Sequence, residues 1–299
     1  MTKNNVLKGV FLVGLGATSY GMLATFVKMA YQEGFTTAEV TSAQFILGIT
    51  GMLIINAFQK IRKGEKVVKA TGKNISRLML AGTSLGFTSL FYYLAVRYIP
   101  VSIGIVLLMQ TVWMGVILEM LLTKKIPSTQ KILSTVIVLI GTALATNLLG
   151  KEIQLDWRGI VWGLLAATSF TTTMFTSNRI ATGLSAPQRS LFMLLGGAIV
   201  IASFAVYSYT GTFNTEIFFK WGIILALFGT IIPPMFLNAG FPHTGLGLGS
   251  IVASLELPVS VMMAYVLLKE NVTPWQWLGI TLIITAIIIM NLTPKEKKN

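Results

Sequence analysis

Glu256 is the side chain that most clearly suggests chemistry, because it lies in the middle of an apolar run at 245–267. The composition described below indicates that this run crosses a membrane. A carboxylate at the centre of a bilayer costs about 2.5–3.5 kcal/mol on insertion scales, so it must face a cavity, find a partner or be protonated. Glu256 is therefore a candidate proton carrier or a candidate ligand for a substrate ammonium group. The alternative is a carboxyl that packs between helices and is hydrogen-bonded near a helix break at Pro258.

Gln110 holds the position equivalent to Glu256 in an internal repeat of 146 residues. Symmetry predicts that the two side chains face each other near the membrane midplane, so Gln110 is a candidate substrate ligand. The alternative is a hydrogen bond between helices. Trp113 follows Gln110 at i+3 and shares its helix face, which makes Trp113 a candidate for the wall of a cavity.

Further polar side chains inside the apolar runs are candidates for lining the same cavity. Tyr20 lies at mid-depth in the first run, Gln44 in the second, and Asn238 one turn after a double proline in the eighth. Tyr92 and Tyr93 are neighbours in the third run, about 100° apart around a helix. We therefore expect only one of these two tyrosines to face a cavity, and we take Tyr92 as the candidate while either remains open.

Prolines and a histidine in the eighth and ninth runs are candidates for gating. Pro233 and Pro234 break the eighth run, and Pro258 breaks the ninth. A proline inside a helix leaves the carbonyl four residues earlier without its donor, which favours a bend. The bend is either a moving gate or a static kink. His243 ends the eighth run, where it is either a gate or pH-responsive group or a solvated loop residue.

Composition identifies the environment of these side chains. Of the 299 residues, 54% are hydrophobic and only 11% are charged, whereas a soluble domain carries about 25% charged residues. Ten apolar runs, most of roughly 18 to 25 residues, are long enough to cross a ~30 Å hydrocarbon core. They do not alternate between polar and apolar residues, which predicts helices rather than barrel strands. The runs lie at 6–30, 39–58, 77–98, 101–122, 132–149, 157–180, 187–209, 217–241, 245–267 and 275–292.

The lysines and arginines predict the orientation of these helices. If the N-terminus is cytoplasmic and successive runs cross the membrane in alternating directions, 17 of the 23 lysines and arginines fall on the cytoplasmic side. This asymmetry predicts a multi-pass protein of the cell (inner) membrane with both termini in the cytoplasm. The basic loop at 60–77 is either a topology determinant only or also a site for anionic lipid headgroups. No aromatic residues are interleaved with its lysines, so nucleic acid is not an expected partner.

The chain is predicted to contain two copies of a five-helix unit, at 1–149 and 150–299, which together form one transport domain. An offset of 146 residues aligns the fourth and fifth runs with the ninth and tenth, and an offset of 150 aligns Ala17–Tyr20 with Ala167–Phe170. Because five crossings is an odd number, the second copy must enter the membrane from the opposite face. The predicted fold class is an all-α polytopic membrane protein with ten transmembrane helices in two inverted five-helix repeats.

A pattern in the C-terminal copy combines the stretch Ser254–Val259, Glu270 at the end of the next apolar run, and Gly279 early in the last run. This pattern resembles the EamA family of the drug/metabolite transporter superfamily. The chain departs from the family pattern where a leucine separates the glutamate from the proline and where Lys269 replaces a glycine. The first-half counterpart lacks both the glutamate and the proline, and Gln44 stands where the family often has an arginine.

The resemblance implies a ten-helix fold whose central cavity is lined by the first, third, fourth, sixth, eighth and ninth helices. It also implies transport of small metabolites such as amino acids. We therefore predict a secondary transporter, in the direction of export, that works by alternating access, with protons as candidate coupling ions. The alternatives are a membrane-embedded lipid-processing enzyme and a non-transporting scaffold.

The sequence contains few of the residue types that enzymes use for catalysis or metal binding. It contains no cysteine and one histidine, so thiol nucleophiles, disulfides and thiolate or histidine-rich metal sites are not expected. It also lacks a phosphate-binding loop motif. We therefore predict no cofactor and no metal, and we expect a transporter rather than an enzyme.

Overall fold

The described part of the chain is helical throughout. The computed structural model describes residues 3–64, 68–99, 101–147, 156–209 and 211–291, and these ranges contain no strand. The helices of the N-terminal half are α1 (Lys3–Gln32), α2 (Thr37–Lys63), α3 (Gly72–Val96), α4 (Val101–Leu108), α5 (Thr111–Thr123) and α6 (Thr129–Ala145). Those of the C-terminal half are α7 (Trp157–Arg179), α8 (Ala186–Tyr207), α9 (Ile223–Ala226), α10 (Ile232–Thr244), α11 (Leu246–Ala253), α12 (Glu256–Leu267) and α13 (Pro274–Asn291).

Each of the ten predicted apolar runs corresponds to one helix or to a short series of helices. The fourth run is α4 followed by α5, and the ninth is α11 followed by α12. The eighth is a continuous helix in which the π-helical turns Phe218–Gly222 and Leu227–Ile231 flank α9, with α10 after them. Seven helical spans of the described ranges are long and apolar enough to cross a membrane, and α6 and α13 are shorter apolar helices. The predicted all-α fold of ten transmembrane helices in two inverted repeats is confirmed.

Local sequence signals determine where several helices begin. At the start of α2, the Thr36 hydroxyl accepts the N–H of Glu39 while the Glu39 carboxylate accepts the N–H of Thr36, which forms a capping box. Asp156 caps α7 by accepting the N–H of Arg158 at 2.8 Å. The hydrogen bond from the Arg158 side chain also holds the pKa of the Asp156 carboxyl below its usual range. Pro274 begins α13, where its missing N–H costs no hydrogen bond.

The two halves cross the membrane in opposite directions. α1 begins beside the end of α10, where Gly9 packs against Gly240 and His243. α7 ends at the same side, because the Asn178 amide donates to the Phe241 carbonyl at 2.6 Å. The first helix of one half therefore starts where the first helix of the other half ends, as an inverted repeat requires. We call this side, marked by Gly9 and His243, the closed face, and the opposite side the mouth face.

The packing of the helices follows the same two-fold pattern. α3 packs against α7 and α8, and the helix of the eighth run packs against α1 and α2 in the equivalent way. α12 packs against α1, as α4 and α5 pack against α7. Three pairs, α2 with α8, α5 with α11 and α6 with α13, join equivalent transmembrane segments of the two halves. The predicted boundary between the repeats at 149–150 lies outside the described residues.

Candidate functional site

A cavity of about 1020 Å³ lies at the level where α4 meets α5 and α11 meets α12. Phe170, from the middle of α7, and Pro234, from the middle of the eighth transmembrane segment, line its deep end. Exposed side chains at the mouth face, Lys28, Arg97 and Glu270, line its outer end. The cavity therefore opens at the mouth face. The first, third, fourth, sixth, eighth and ninth transmembrane segments all contribute to its lining, and so do the second, fifth, seventh and tenth.

Glu256 is placed in the cavity by a break in the ninth transmembrane segment. α11 ends at Ala253, a turn follows, and Glu256 is the first residue of α12. Within the described part of the chain, its carboxylate has no hydrogen bond and no ion pair, although it lines the cavity. Glu256 is therefore a carboxylate that is free to bind a proton or a cation.

α1 lies directly against this break. A Cβ atom at Gly21 would be 2.5 Å from the Glu256 carbonyl oxygen and 2.8 Å from the Val259 Cβ. Only a residue without a side chain allows α1 to approach α12 so closely. This approach brings Tyr20, the neighbour of Gly21, into the cavity lining.

Tyrosines form the wall around the carboxylate. Tyr20 and Tyr92 line the same cavity as Glu256. Tyr20 meets Phe170 edge-on with the ring centroids 6.2 Å apart, and Tyr92 meets Tyr93 at the same distance. The expectation that only one of Tyr92 and Tyr93 faces a cavity is wrong, because both line it. The cavity extends around enough of α3 to contact two side chains 100° apart.

Gln44 also lies in the cavity lining, on α2. Its side chain is largely buried and packs against Gly229, where a Cβ atom would collide with the Gln44 amide nitrogen. The Thr230 hydroxyl donates to the Gln44 backbone carbonyl at 3.0 Å and so ties α2 to the second π-helical turn. Gln44 therefore faces the cavity from a position fixed by contacts with the eighth segment.

Gln110 and Trp113 lie outside the cavity lining. The Gln110 amide donates to the Val106 carbonyl at 2.9 Å, and its oxygen accepts the indole N–H of Trp113 at 2.8 Å. The expectation that Gln110 faces Glu256 across the two halves is wrong, because both ends of its amide bind within its own segment. Met109, one residue earlier, lines the cavity in its place.

The candidate gating residues occupy different environments. Pro233 and Pro234 follow the second π-helical turn at the start of α10, and of these two only Pro234 lines the cavity. Pro258 is buried in the first turn of α12, where a helix needs no N–H. The expected loss of a donor to the Ser254 carbonyl does not occur, because the Leu257 N–H donates to that carbonyl at 3.2 Å. His243 is half-buried at the closed face, away from the cavity.

Asn238 and Arg189 form a buried polar centre that holds α7, α8 and α10 together. The Asn238 amide donates to the Ser190 hydroxyl at 2.9 Å, and Asn238 does not line the cavity. The fully buried Arg189 guanidinium donates to the Asn238 carbonyl at 2.6 Å. That carbonyl has no helical donor, because Pro242 stands four residues later.

The same guanidinium also caps the end of α7. It donates to the backbone carbonyls of Thr176, Ser177 and Ile180 at 3.0, 2.7 and 3.0 Å. A cation at a helix C-terminus is favourable because the last carbonyls carry partial negative charge. Arg189 is one of the 17 basic residues that the topology prediction places on the cytoplasmic side, and its buried role was not predicted. The proline at 242, which leaves a carbonyl in need of a donor, is the signal that could have indicated this role.

Comparisons with known proteins agree with this architecture. The sequence model of the EamA-like transporter family matches residues 7–147 and 157–292. A solved structure, described only as the crystal structure of a protein, superimposes with a TM-score of 0.76 at 14% identity over 97% of this chain and 98% of its own. At that identity the likeness shows the fold alone. No curated protein sequence matches the chain.

Proposed function

The chain belongs to the EamA-like transporter family, and we propose that it is a secondary transporter of small metabolites such as amino acids. The observation that carries this proposal is the cavity of about 1020 Å³, which both halves line and which contains the unpartnered carboxylate of Glu256. Cavities of about this size hold small-molecule ligands. Transporters built from inverted repeats bind their substrates where discontinuous helices of the two halves meet.

Alternating access is the mechanism that we propose, because the described conformation is open on one side only. Beneath the cavity, apolar side chains of α1, α7, α10 and α11 pack into one buried cluster, which includes Val13, Met174, Phe241, Leu246 and Val252. A substrate cannot cross this cluster unless these helices separate. Transport therefore needs a second conformation, in which the closed face opens and the mouth closes.

An ion pair holds the closed face together in this conformation. Glu119 of α5 pairs with Lys131 of α6 and also accepts the N–H of Gly247 at the start of α11, at 3.2 Å. Both charged side chains are only partly exposed, so water and salt screen the pair less than at a free surface. Opening of the closed face would have to separate α5 and α6 from α11 at this point.

The direction and orientation form part of the same proposal. With both termini in the cytoplasm, the closed face is cytoplasmic and the mouth opens to the outside of the cell membrane. The excess of lysine and arginine on the N-terminal side supports this orientation. We propose export, in which the cytoplasmic cluster opens to load the substrate and the described conformation releases it. Reporter fusions at the two termini test the orientation, and detection of the two tails on opposite sides would contradict it.

Glu256 is the coupling group in this proposal, through a proton or through a cationic group of the substrate. Purified protein in liposomes is assayed for metabolite transport between pH 5 and pH 8, after a thermal-shift screen has identified ligands. We expect Glu256→Gln to abolish the pH dependence of transport or to weaken binding strongly. The control is Glu216→Gln, which removes an exposed carboxylate that pairs with Lys220 outside the cavity.

Unchanged transport by Glu256→Gln over this pH range would reject the coupling role. A chain that moves no solute under any condition would instead favour a scaffold, and turnover of a lipid substrate would favour an enzyme.

A further inference from the structure

The charges of the cavity define the class of molecule that it accepts. This inference rests on the transport function proposed above and replaces amino acids with amines as the expected substrates. We propose that the substrate is a small organic ammonium ion with an aromatic or apolar body and without a carboxylate beside the ammonium group. A primary amine of this kind would place its ammonium on Glu256 and its body against the tyrosines. An α-amino acid with the same side chain would bind more weakly.

The distribution of charge along the cavity supports this class. Four charged side chains line the described cavity, and Lys28 and Glu270 neutralise each other in an ion pair at the mouth. Arg97 is exposed at the end of α3. Of these four side chains, Glu256 is the one that lies at the level of the helix breaks. None of the other described lining residues at that level is a lysine or an arginine.

Along α1, the lysine of the cavity lining lies far from Glu256. Gly21 lies against the Glu256 carbonyl oxygen, and Lys28, which pairs with Glu270, follows seven residues later on α1. At 1.5 Å per residue, this separation is about 10 Å along the helix. The ammonium and carboxylate of an α-amino acid share one carbon atom, so a carboxylate would be left beside Glu256. The substrate carboxylate and the Glu256 carboxylate would then repel each other, because they would be close together in a region of low dielectric.

The surroundings of Glu256 favour a cation in a second way. Aromatic rings attract a cation through their negatively charged faces, and Tyr20, Tyr92 and Tyr93 all line the cavity. An ammonium group would therefore interact with a carboxylate and with aromatic rings.

Three small molecules that differ by one group each test the proposal on the full-length protein in lipid nanodiscs. Tyramine has the amine without the carboxylate, tyrosine has both, and 4-ethylphenol has neither. We expect tyramine to bind about tenfold or more tightly than either of the others, because a hydrogen bond to a charged group contributes enough for about a 10- to 100-fold change. Equal or tighter binding of tyrosine or 4-ethylphenol, or no binding of tyramine, would overturn the proposal.

Substitution of the carboxylate tests its role in this preference. Glu256→Gln keeps the size of the side chain and should reduce tyramine binding about tenfold or more while leaving 4-ethylphenol unchanged. Glu216→Gln should change neither ligand, because Glu216 lies outside the cavity. Loss of both ligands in Glu256→Gln would contradict a charge-based site.

Transport assays separate a failure of this inference from a failure of the proposed function. If liposomes containing the protein move a neutral or anionic metabolite but not tyramine, the transporter function stands and the ammonium class is wrong. If they move no solute at all, the proposed function itself fails.

Discussion

The two helix breaks occupy equivalent positions in the two halves, yet they differ in chemistry. In the fourth segment, α4 ends at Leu108 and α5 begins at Thr111; in the ninth, α11 ends at Ala253 and α12 begins at Glu256. Gln110 at the first break binds to its own segment with both ends of its amide. Glu256 at the second break has no described partner and lines the cavity. The polar side chain at the first break is used within its own segment, whereas the one at the second break faces the cavity.

The helices that pack against the breaks differ in the same way. Gly21 of α1 lies against the backbone of the second break. The equivalent position on α7, at the offset of 150 residues, is Thr171, whose hydroxyl is 2.8 Å from the hydroxyl of Thr111 at the first break. Both halves have the same backbone arrangement. A few side-chain differences fill the first break with hydrogen bonds and leave the Glu256 carboxylate at the second break facing the cavity. The two repeats are therefore asymmetric at the level of the site proposed above.

The largest expected effect comes from moving the carboxylate between the breaks. The double variant Glu256→Gln with Gln110→Glu keeps the net charge but takes the carboxylate out of the cavity. We expect tyramine binding about 10- to 100-fold weaker than wild type, because the charged hydrogen bond is lost. Isothermal titration calorimetry provides the measurement, with Glu256→Gln alone for comparison. Binding restored by the second substitution would mean that the two breaks are interchangeable.

A smaller effect is expected where α1 meets the second break. Gly21→Ala forces a Cβ atom against the Glu256 carbonyl oxygen and the Val259 side chain, and over-packing of this kind costs about 1–3 kcal/mol. Gly14→Ala is the control on the same helix, because its Cβ atom would meet its nearest neighbours at 3.9 Å. We expect thermal unfolding at a lower temperature for Gly21→Ala and at an equal or higher one for Gly14→Ala. Equal stability of the two variants would disprove the close approach.

At the first break, removal of one hydroxyl should lower stability without affecting the cavity. Thr171→Val removes the hydrogen bond to Thr111, and bonds between membrane helices contribute about 0.6 kcal/mol on average and at most about 1.7. Thr172→Val is the control, because the exposed Thr172 hydroxyl bonds only to Thr168 in its own helix. Denaturation curves should separate the two variants. A loss of tyramine binding in Thr171→Val would show that the first break also contributes to the site.

An effect of similar size is expected from the indole of Trp113. Trp113→Phe removes its hydrogen bond to the Gln110 oxygen, which should cost about 0.5–1.5 kcal/mol of stability and leave transport unchanged. The exposed Trp275 provides a control as Trp275→Phe. The measurements are the unfolding temperature and the transport rate of each variant in liposomes. A transport defect confined to Trp113→Phe would place this residue on the pathway.

The positions of the transmembrane segments were determined by the sequence itself. A bilayer core requires about 20 apolar residues per crossing and internally satisfied backbone groups, so composition and length alone identify each helix. The duplication was also readable, because equivalent helices repeat at nearly constant offsets. The position of Glu256 in a continuous apolar run already required a cavity, a partner or a proton.

Only the tertiary structure decided how the polar side chains are used. Gln110 and Glu256 are equivalent in sequence position, but hydrogen bonds to Val106 and Trp113 keep Gln110 away from the cavity. Arg189 links α8 to α10 because folding brings its guanidinium within hydrogen-bond distance of the Asn238 carbonyl. A side chain takes whichever partner the packing places within about 3 Å, and helix periodicity does not determine that choice.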